Sequence, residues 1–452
     1  MLQSSVSLRY YQDDAVNVFT VGGCKNGIIV CPTGAGKSII ISELAKRLND
    51  KNVLVLQPSK EILEQNFTKY STYSSDSSIY SASLNKRDLN RVTFATIGSV
   101  IKLPNSILME FKVIVVDECH LVGQYGQYAE LISLIEPDIL IGLTATPYRN
   151  NSKFGGIKYE MLTRKMDCIF NTIAYKYEIQ DCIKDGFWCN IKYFTPIKYD
   201  TKNLETRGSE FKDEAVSQYN FSINLHENII GIVNNSDKKH FLVFLTTIAE
   251  CEHTEKILIE AGISCRAIHS KLHKNERDEI LHKFKAGEIK VVLNVGVLTT
   301  GFDFPELDCL ILARPTMSLS LYYQMLGRGV RTHKNKECCD IYDLCGNVES
   351  FGRIETLQFV GDNYKRLGLI SDKKVLIAPP KSYMNAKMMK AEKFEDVGLV
   401  VLQNGKYAGT TIQEVWDTNK GYIQFCIDNN TSFKPIFEKF LAQQQKIAQL
   451  LK

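Results

Sequence analysis

The sequence predicts an α/β protein built as two parallel-sheet domains in tandem with a small C-terminal accessory module. Three observations lead there. Short apolar runs alternate with amphipathic segments through the first 150 residues, a second alternating series begins near residue 239, and the alternation stops near Gly346. Continuous apolar strands separated by helical patterns read as sheets covered on both faces. The expected segments are residues 1–150, a connector with insertions at 151–238, a second domain at 239–346, and a linker with accessory module at 347–452.

In the first segment "GIIVC", "NVLVLQP", "VTFAT", "KVIVVDE" and "DILIGLTAT" read as buried strands. Ile40, Leu44, Ala45 and Leu48 share one face of a helix starting near Lys37. The connector has weaker periodicity, with helices expected near 173–185 and 213–234. In the second domain "HFLVFL", "SCRAIH", "IKVVLNV", "LDCLILARP" and "CDIYDLC" read as strands, and "KNERDEILHKFKAG" as a helix between them. Farther on, "DKKVLIAPPKSYMNAKMMKAEK" joins a Pro-Pro pair to six lysines between Lys373 and Lys393. It reads as an arm leading to a module near 397–452, either a solvated strip or one that touches nucleic-acid backbone. No internal sequence repeat is evident.

Composition narrows the class. With 452 residues, 44% of them hydrophobic and 23% charged, the chain can bury two or three cores. No apolar run reaches the roughly 18–20 residues of a membrane span, and "MLQSSVSLRYYQ" lacks a signal peptide's apolar stretch, so the expected address is the cytoplasm and no membrane partner is expected. Thirteen cysteines, an odd number scattered in apolar runs, fit reduced thiols better than a disulfide framework. Cys338, Cys339 and Cys345 lack the paired spacing of a zinc module. The net charge of +4 neither demands nor excludes a polyanionic partner.

Chemistry enters at "GIIVCPTGAGKSIIISELAKRL", Gly27 to Leu48. In "CPTGAGKS" (Cys31, Pro32, Thr33, Gly34, Ala35, Gly36, Lys37, Ser38) the two glycines let successive backbone N–H groups curl around phosphate oxygens. Lys37 would neutralise β and γ phosphates, Ser38 would offer a hydroxyl to Mg2+, and the helix N-terminus adds partial positive charge. Cys31 stands where the general pattern has its first glycine, at the strand exit, where a small side chain suffices. The second element is "VIVVDECH", Val113 to His120. There Asp117 can hold Mg2+ and Glu118 can polarise a water against the γ-phosphate.

"DECH" after such a loop resembles the superfamily 2 DExH-box helicases, and further segments agree in order. The resemblance implies RecA-like folds for both domains, with ATP and Mg2+ as cofactors. It implies that "LRYYQ" at 8–12 places Arg9 and Gln12 at the adenine, with Gln12 reading the base edge. "LVLQPSKEILEQ" at 54–65 and "ATIGS" at 95–99 resemble strand-contacting motifs, implying nucleic-acid contacts at Pro58, Ser59, Lys60, Gln65, Thr96 and Gly98. "LTATPYR" at 143–149 resembles the element coupling hydrolysis to domain movement, through Thr144 and Thr146, with His120 also in a coupling role. In the second domain "AIHSKL" at 267–272 implies strand contacts at His269 and Ser270. "NVGVLTTGFDFPEL" at 294–307 implies strand contacts at Thr299 and Thr300 and nucleotide contacts at Gly301 and Asp303. "QMLGRGVR" at 324–331 implies Gln324, Arg328 and Arg331 in the nucleotide cleft. The two arginines, three apart on an expected helix, can share a face and act across the cleft as arginine fingers.

Within the superfamily these motifs are most similar to the DNA-acting group that includes bacteriophage branch-migration helicases of the UvsW type, RecG-like proteins and restriction-enzyme translocases. For a chain of phage origin the address would be the host cytoplasm. The resemblance implies an ATP-dependent DNA helicase or translocase acting on forked or junction DNA in replication, recombination or repair, with proteins of those processes as partners. A DExH RNA helicase, or a translocating or clamp subunit of a restriction-type complex, are the alternatives. The chain begins almost at the adenine motif, so the N-terminal DNA-gripping domain of UvsW-like and RecG-like proteins is expected to be absent. "KYAGTTIQEVWDTNKGYIQFCI" resembles a small module appended to some DNA-metabolism proteins.

Overall fold

The structure is a computed structural model that describes residues 7–150, 159–164, 168–299, 302–361, 367–372, 374–378 and 412–428, with a few positions between 434 and 441. It divides into two compact units, Met1–Pro379 and Pro380–Lys452.

The first sheet is built from the expected apolar runs. β1 (Asn26–Val30), β2 (Asn52–Gln57), β3 (Ser77–Ser81), β4 (Lys86–Arg87), β5 (Val92–Thr96), β6 (Phe111–Asp117) and β7 (Ile139–Thr144) join β10 (Ile173–Lys176) in the order β10-β1-β7-β6-β2-β5-β3-β4. All neighbours are parallel except the β3–β4 pair. Between them β8 (Tyr148–Asn150) and β9 (Tyr159–Met161) form a separate antiparallel pair. The helix expected over 173–185 is corrected: only Ile179–Lys184 is helical, and β10 runs parallel to β1 with Ile173 opposite Ile28. Ile173 and Tyr175 suit an extended strand, and β1 would otherwise leave one row of backbone groups unpaired inside the protein.

The second sheet is parallel throughout, in the order β11-β18-β17-β14-β16-β15. Its strands are β11 (Asn190–Phe194), β14 (Phe241–Phe244), β15 (Cys265–Ile268), β16 (Val291–Asn294), β17 (Cys309–Leu312) and β18 (Cys338–Asp343). The region read as a connector thus supplies one edge strand to each sheet. It also holds the small pair β12 (Thr206–Arg207) and β13 (Glu210–Phe211). The helix expected at 213–234 is two helices, Asp213–Ser222 and Leu225–Asn234, broken at Asn224, which sits at φ 48°. Side chains of β14 alternate between two cores: Leu242 and Phe244 join the core shared with the first domain, while Phe241 and Val243 face the second.

Beyond Gly346 the parallel alternation does stop. β19 (Gln358–Val360), β20 (Gly368–Ser371) and β21 (Lys374–Ile377) form an antiparallel sheet within the first unit. Except for Lys374, the lysine strip lies outside the described residues. In the second unit a helix, Ile412–Asp428, kinks at Asn419, and Ile412, Val415, Ile423, Cys426, Phe437 and Phe440 make a small core. None of the thirteen cysteines is joined in a disulfide. Among the described residues no helix is long and apolar enough to cross a membrane.

Parallel pairing aims every strand's carboxyl end at the same edge, so the loops after β1, β6 and β7 meet there. The close packing behind that edge is testable at Gly142 in β7. A Cβ there would sit 2.7 Å from Cys119 Sγ and 2.9 Å from Phe170 Cε1. Gly142→Ala is expected to lower the unfolding free energy by about 1–3 kcal/mol, read as an earlier urea midpoint; an unchanged midpoint contradicts this packing.

Candidate active site

The helix Lys37–Arg47 begins at Gly36, whose φ of 80°, with 86° at Gly34, makes the left-handed turns that present the loop's N–H groups. A Cβ on Gly36 would meet Gln12 Nε2 at 2.6 Å. The helix Tyr10–Thr20 braces the loop from behind: the Tyr11 hydroxyl and Gln12 Nε2 both donate to the Ala35 carbonyl, at 2.9 and 3.0 Å. Cys31 lies before this turn. Its N–H donates to the Thr144 carbonyl at 3.2 Å, its side chain is fully buried, and burial pushes the thiol up to about 12.

Across from the loop, β6 delivers two carboxylates. Asp117 accepts from Asn66 Nδ2 at 3.1 Å and from the Glu118 N–H at 3.0 Å. Glu118 adopts φ 49°, a conformation that L side chains disfavour and that surrounding contacts must hold. Those contacts are Lys37 Nζ at 2.5 Å from Oε1, with the Thr144 hydroxyl donating to Oε2 at 3.3 Å and His120 Nδ1 3.3 Å from the same oxygen. His120 Nδ1 also lies 2.9 Å from Thr144 Oγ1 and 3.4 Å from Thr146 Oγ1. His120, Thr144 and Thr146 therefore form one network with Glu118. Burial pushes Asp117 up to about 6, against the pull of Lys37. Burial also works against ionisation of Glu118, but Lys37 and His120 outweigh it and hold its carboxyl below the usual range.

The second domain closes the cavity. The helix Leu319–Leu326 ends before Arg328 and Arg331, so the two arginines lie on the segment after the helix and not on one helical face as expected. At the helix end Gly327 packs on the phosphate loop so closely that a Cβ would lie 2.8 Å from Thr33 Oγ1. Arg328 donates to the Phe302 carbonyl at 2.7 Å and to the Gln324 carbonyl at 3.3 Å. Arg331 pairs with Asp303, and its buried Nε has no partner among the described residues. Burial lowers both guanidinium pKa values, Arg328's to about 10, which leaves it charged at neutral pH.

Lys37, Ser38, Asp117, Glu118, Gln324, Arg328, Arg331, Arg9, Thr33, Gly34, Gly36 and Asp303 all line one cavity of about 360 Å³. Pro32 and Ala35 shape the loop without lining the cavity, and Gln12 stands behind it. Thr300 and Gly301 lie outside the described residues. Gln65, expected at the nucleic acid, lines this cavity instead, beside Ile62 and Asn66. Pro58, Ser59 and Lys60 follow β2, with Ser59 capping the helix Lys60–Ser71. Thr96 ends β5 and bonds Ser99 at 3.0 Å, and Gly98 is exposed. His269 and Ser270 follow β15, and Thr299 follows β16. These positions occupy the β2–β5 and β16–β15 halves of the two carboxyl edges, away from β1, β7, β17 and β18.

Asn66, Phe187 and Tyr323 of the cavity wall, and Trp188 beside it, are among the residues that escaped the sequence reading. Asn66 holds Asp117, and Tyr323 OH accepts from the Thr33 N–H at 3.4 Å. Phe187 lies under the Arg9 guanidinium, 3.6 Å from ring centroid to Cζ, and Trp188 Nε1 donates to the Thr33 carbonyl at 2.9 Å. Trp188 is one of only two tryptophans in the chain, the one signal that could have marked that stretch.

Two RecA-like parallel-sheet domains that contribute opposite walls of one phosphate-loop cavity define the helicase class of nucleotide-driven proteins. Residues 5–149 match the family model described as the res subunit of type III restriction enzymes, and 223–333 match the helicase conserved C-terminal domain. Residues 402–431 match the exodeoxyribonuclease X-like C-terminal model. Over these two regions the chain is similar to superfamily 2 helicases of the restriction-type and XPB-like groups. It is 28% identical over 387 residues to IRC3, an ATP-dependent helicase by name, of Saccharomyces cerevisiae, a match covering 79% of this chain and 54% of that one. It therefore spans about half the length of that relative. It is 24% identical to the DNA 3'-5' translocase XPB2 of Sulfurisphaera tokodaii, over 75% of this chain and 81% of the other. The solved structure of the ATP-dependent type ISP restriction-modification enzyme LlaBIII bound to DNA shares the fold, with a TM-score of 0.57 at 18% identity, over 76% of this chain and 28% of that one.

Two outcomes follow from this geometry. Cys31 is expected to resist thiol reagents at neutral pH in the native protein and to react on unfolding, as peptide mapping would read; fast native labelling would contradict its burial. Asp117, with a folded pKa above its unfolded value, binds a proton between about pH 4 and 6 that the unfolded chain has released. Its contribution to stability therefore falls as pH rises through that window. The unfolding free energy of wild type minus that of Asp117→Asn, measured by denaturant across that range, should fall as pH rises.

Proposed function

We propose that the chain is an ATP-dependent DNA helicase or translocase that remodels forked and junction DNA in replication, recombination or repair. The carrying observation is that Arg328 and Arg331 of the second domain line the same cavity as Lys37, Asp117 and Glu118 of the first. A binding switch needs one nucleotide domain, whereas two bodies that both supply charge convert occupancy and hydrolysis into relative motion.

The chemistry follows from exchange of partners. Lys37 turns from Glu118 to the β and γ phosphates of ATP, and Glu118, held ionised, is then free to polarise the attacking water. Ser38 and Asp117 would hold Mg2+, which supplies charge neutralisation on the phosphate oxygens. Arg328 and Arg331 stabilise charge developing on the γ-phosphate, a role worth about 10³ to 10⁵ in rate. His120, Thr144 and Thr146 carry the change at Glu118 toward the nucleic-acid half of the edge. There Pro58, Ser59, Lys60, Thr96, Gly98, His269, Ser270 and Thr299 contact backbone without reading sequence, the role that the motif resemblance also gives Thr300.

DNA as substrate is supported by the XPB2 translocase, named for DNA, and by LlaBIII, solved on DNA. Branched DNA is supported by the motif resemblance to UvsW-like and RecG-like proteins. The match to a restriction res subunit favours a second reading, a translocating subunit of a nuclease complex, which a co-purifying nuclease would reveal.

Purified protein is expected to hydrolyse ATP faster with forks or four-way junctions than without DNA. Lys37→Ala and Glu118→Gln should each cut turnover by about 10²-fold or more. Hydrolysis indifferent to DNA, with no fork or junction remodelled, would sink the reading.

A further inference from the structure

We infer that Lys336 is a positioning residue for the arginine wall of the cleft; the inference rests on the ATPase reading above. Lys336 is 8% exposed, and its Nζ donates to three backbone carbonyls: Gly329 at 2.5 Å, Arg331 at 2.9 Å and Pro305 at 3.3 Å. An ammonium has three N–H donors, and here each meets one acceptor. Among the described residues no ion pair joins a carboxylate to Lys336, so backbone carbonyls, with the Cys189 thiol beside them, offset the cost of burying its charge.

The identity of those carbonyls gives the contact its function. Two belong to the segment that carries Arg328 and Arg331, and the third lies two residues after Asp303, Arg331's ion-pair partner. Lys336 thus ties together, by backbone, the two loops whose side chains meet in the cavity.

The arginine segment is also held by residues 188–189, and the Cys189 thiol donates to the same Gly329 carbonyl at 3.5 Å. Trp188 bridges Arg331 through an antiparallel backbone pair, and the Cys189 N–H donates to the Val330 carbonyl at 2.8 Å. Trp188 in turn holds the Thr33 carbonyl of the phosphate loop. The segment is therefore clamped between a contact that reports the loop and an ammonium that fixes Asp303's loop. An arginine's planar fork cannot address three converging acceptors, and a neutral side chain leaves the Arg331 and Pro305 carbonyls without this donor.

A general loss of packing would lower activity regardless of Arg331, whereas a positioning role acts only through it. The test is a double-mutant cycle on single-turnover and steady-state ATP hydrolysis. Lys336→Met is expected to lower kcat about tenfold or more with KM for ATP changed less than about threefold, and to add less than about twofold to Arg331→Ala. Lys336→Arg, which keeps a cation for folding, should show the same non-additivity and carries the cycle if Lys336→Met does not fold. Equal losses in the two backgrounds overturn the inference. Arg331→Ala turning over at the wild-type rate would instead overturn the cleft reading on which it rests.

Discussion

The Lys37–Glu118 ion pair is the contact on which the rest of the cleft depends. It holds Glu118 in a backbone conformation that costs energy, keeps its carboxylate ionised despite burial, and parks the phosphate-binding ammonium within the cavity. On the facing wall Arg331 and Asp303 form a second pair. Each pair neutralises a charge that the nucleotide would otherwise engage. Partly buried pairs of this kind contribute little net stability, so their exchange for phosphate contacts is thermodynamically accessible. In the proposed reaction, phosphate binding would do two things at once: free a base on one domain and draw the arginines of the other toward the same anion.

Topology makes this exchange possible. Parallel strands put these loops on one edge of each sheet, and strand order then separates the loops that line the cavity from those proposed to contact nucleic acid. The segment from β10 to β11 leaves the edge of the first sheet and enters the edge of the second, passing the phosphate loop through Trp188 on the way. Its strands complete the hydrogen bonding of both sheets, so the covalent connection between domains is also a structural part of the cleft.

What the sequence made legible was local. The glycine turns, the Asp117–Glu118 pair and the apolar strands are short-range patterns whose physics needs no distant partner. Residues that depended on tertiary contact were harder to place. β10 is a strand because β1 lacks a neighbour on that side, which periodicity within 173–185 cannot show. Arg328 and Arg331 follow the end of the helix, at Gly327, which packs against Thr33 of the other domain, a contact no local pattern announces. Gln65 follows a motif similar to strand-contacting ones, yet the direction of its helix turns it to the nucleotide side with Asn66. Lys336 carried no sequence signal, since three carbonyl acceptors leave no trace in side-chain identity.

Cys31 shows where the phosphate loop is strict and where it is tolerant. The loop's conformational demand falls on Gly34 and Gly36, which take the positive φ angles, whereas Cys31 is still in extended register and gives its N–H to Thr144. Its thiol faces the core, so any small side chain fills the space. The same Thr144 that accepts this backbone bond donates its hydroxyl to Glu118. Position 31 therefore matters through its main chain: it ties the start of the phosphate loop to the residue that orients the catalytic carboxylate. Its side chain is free to vary because that tie uses none of it.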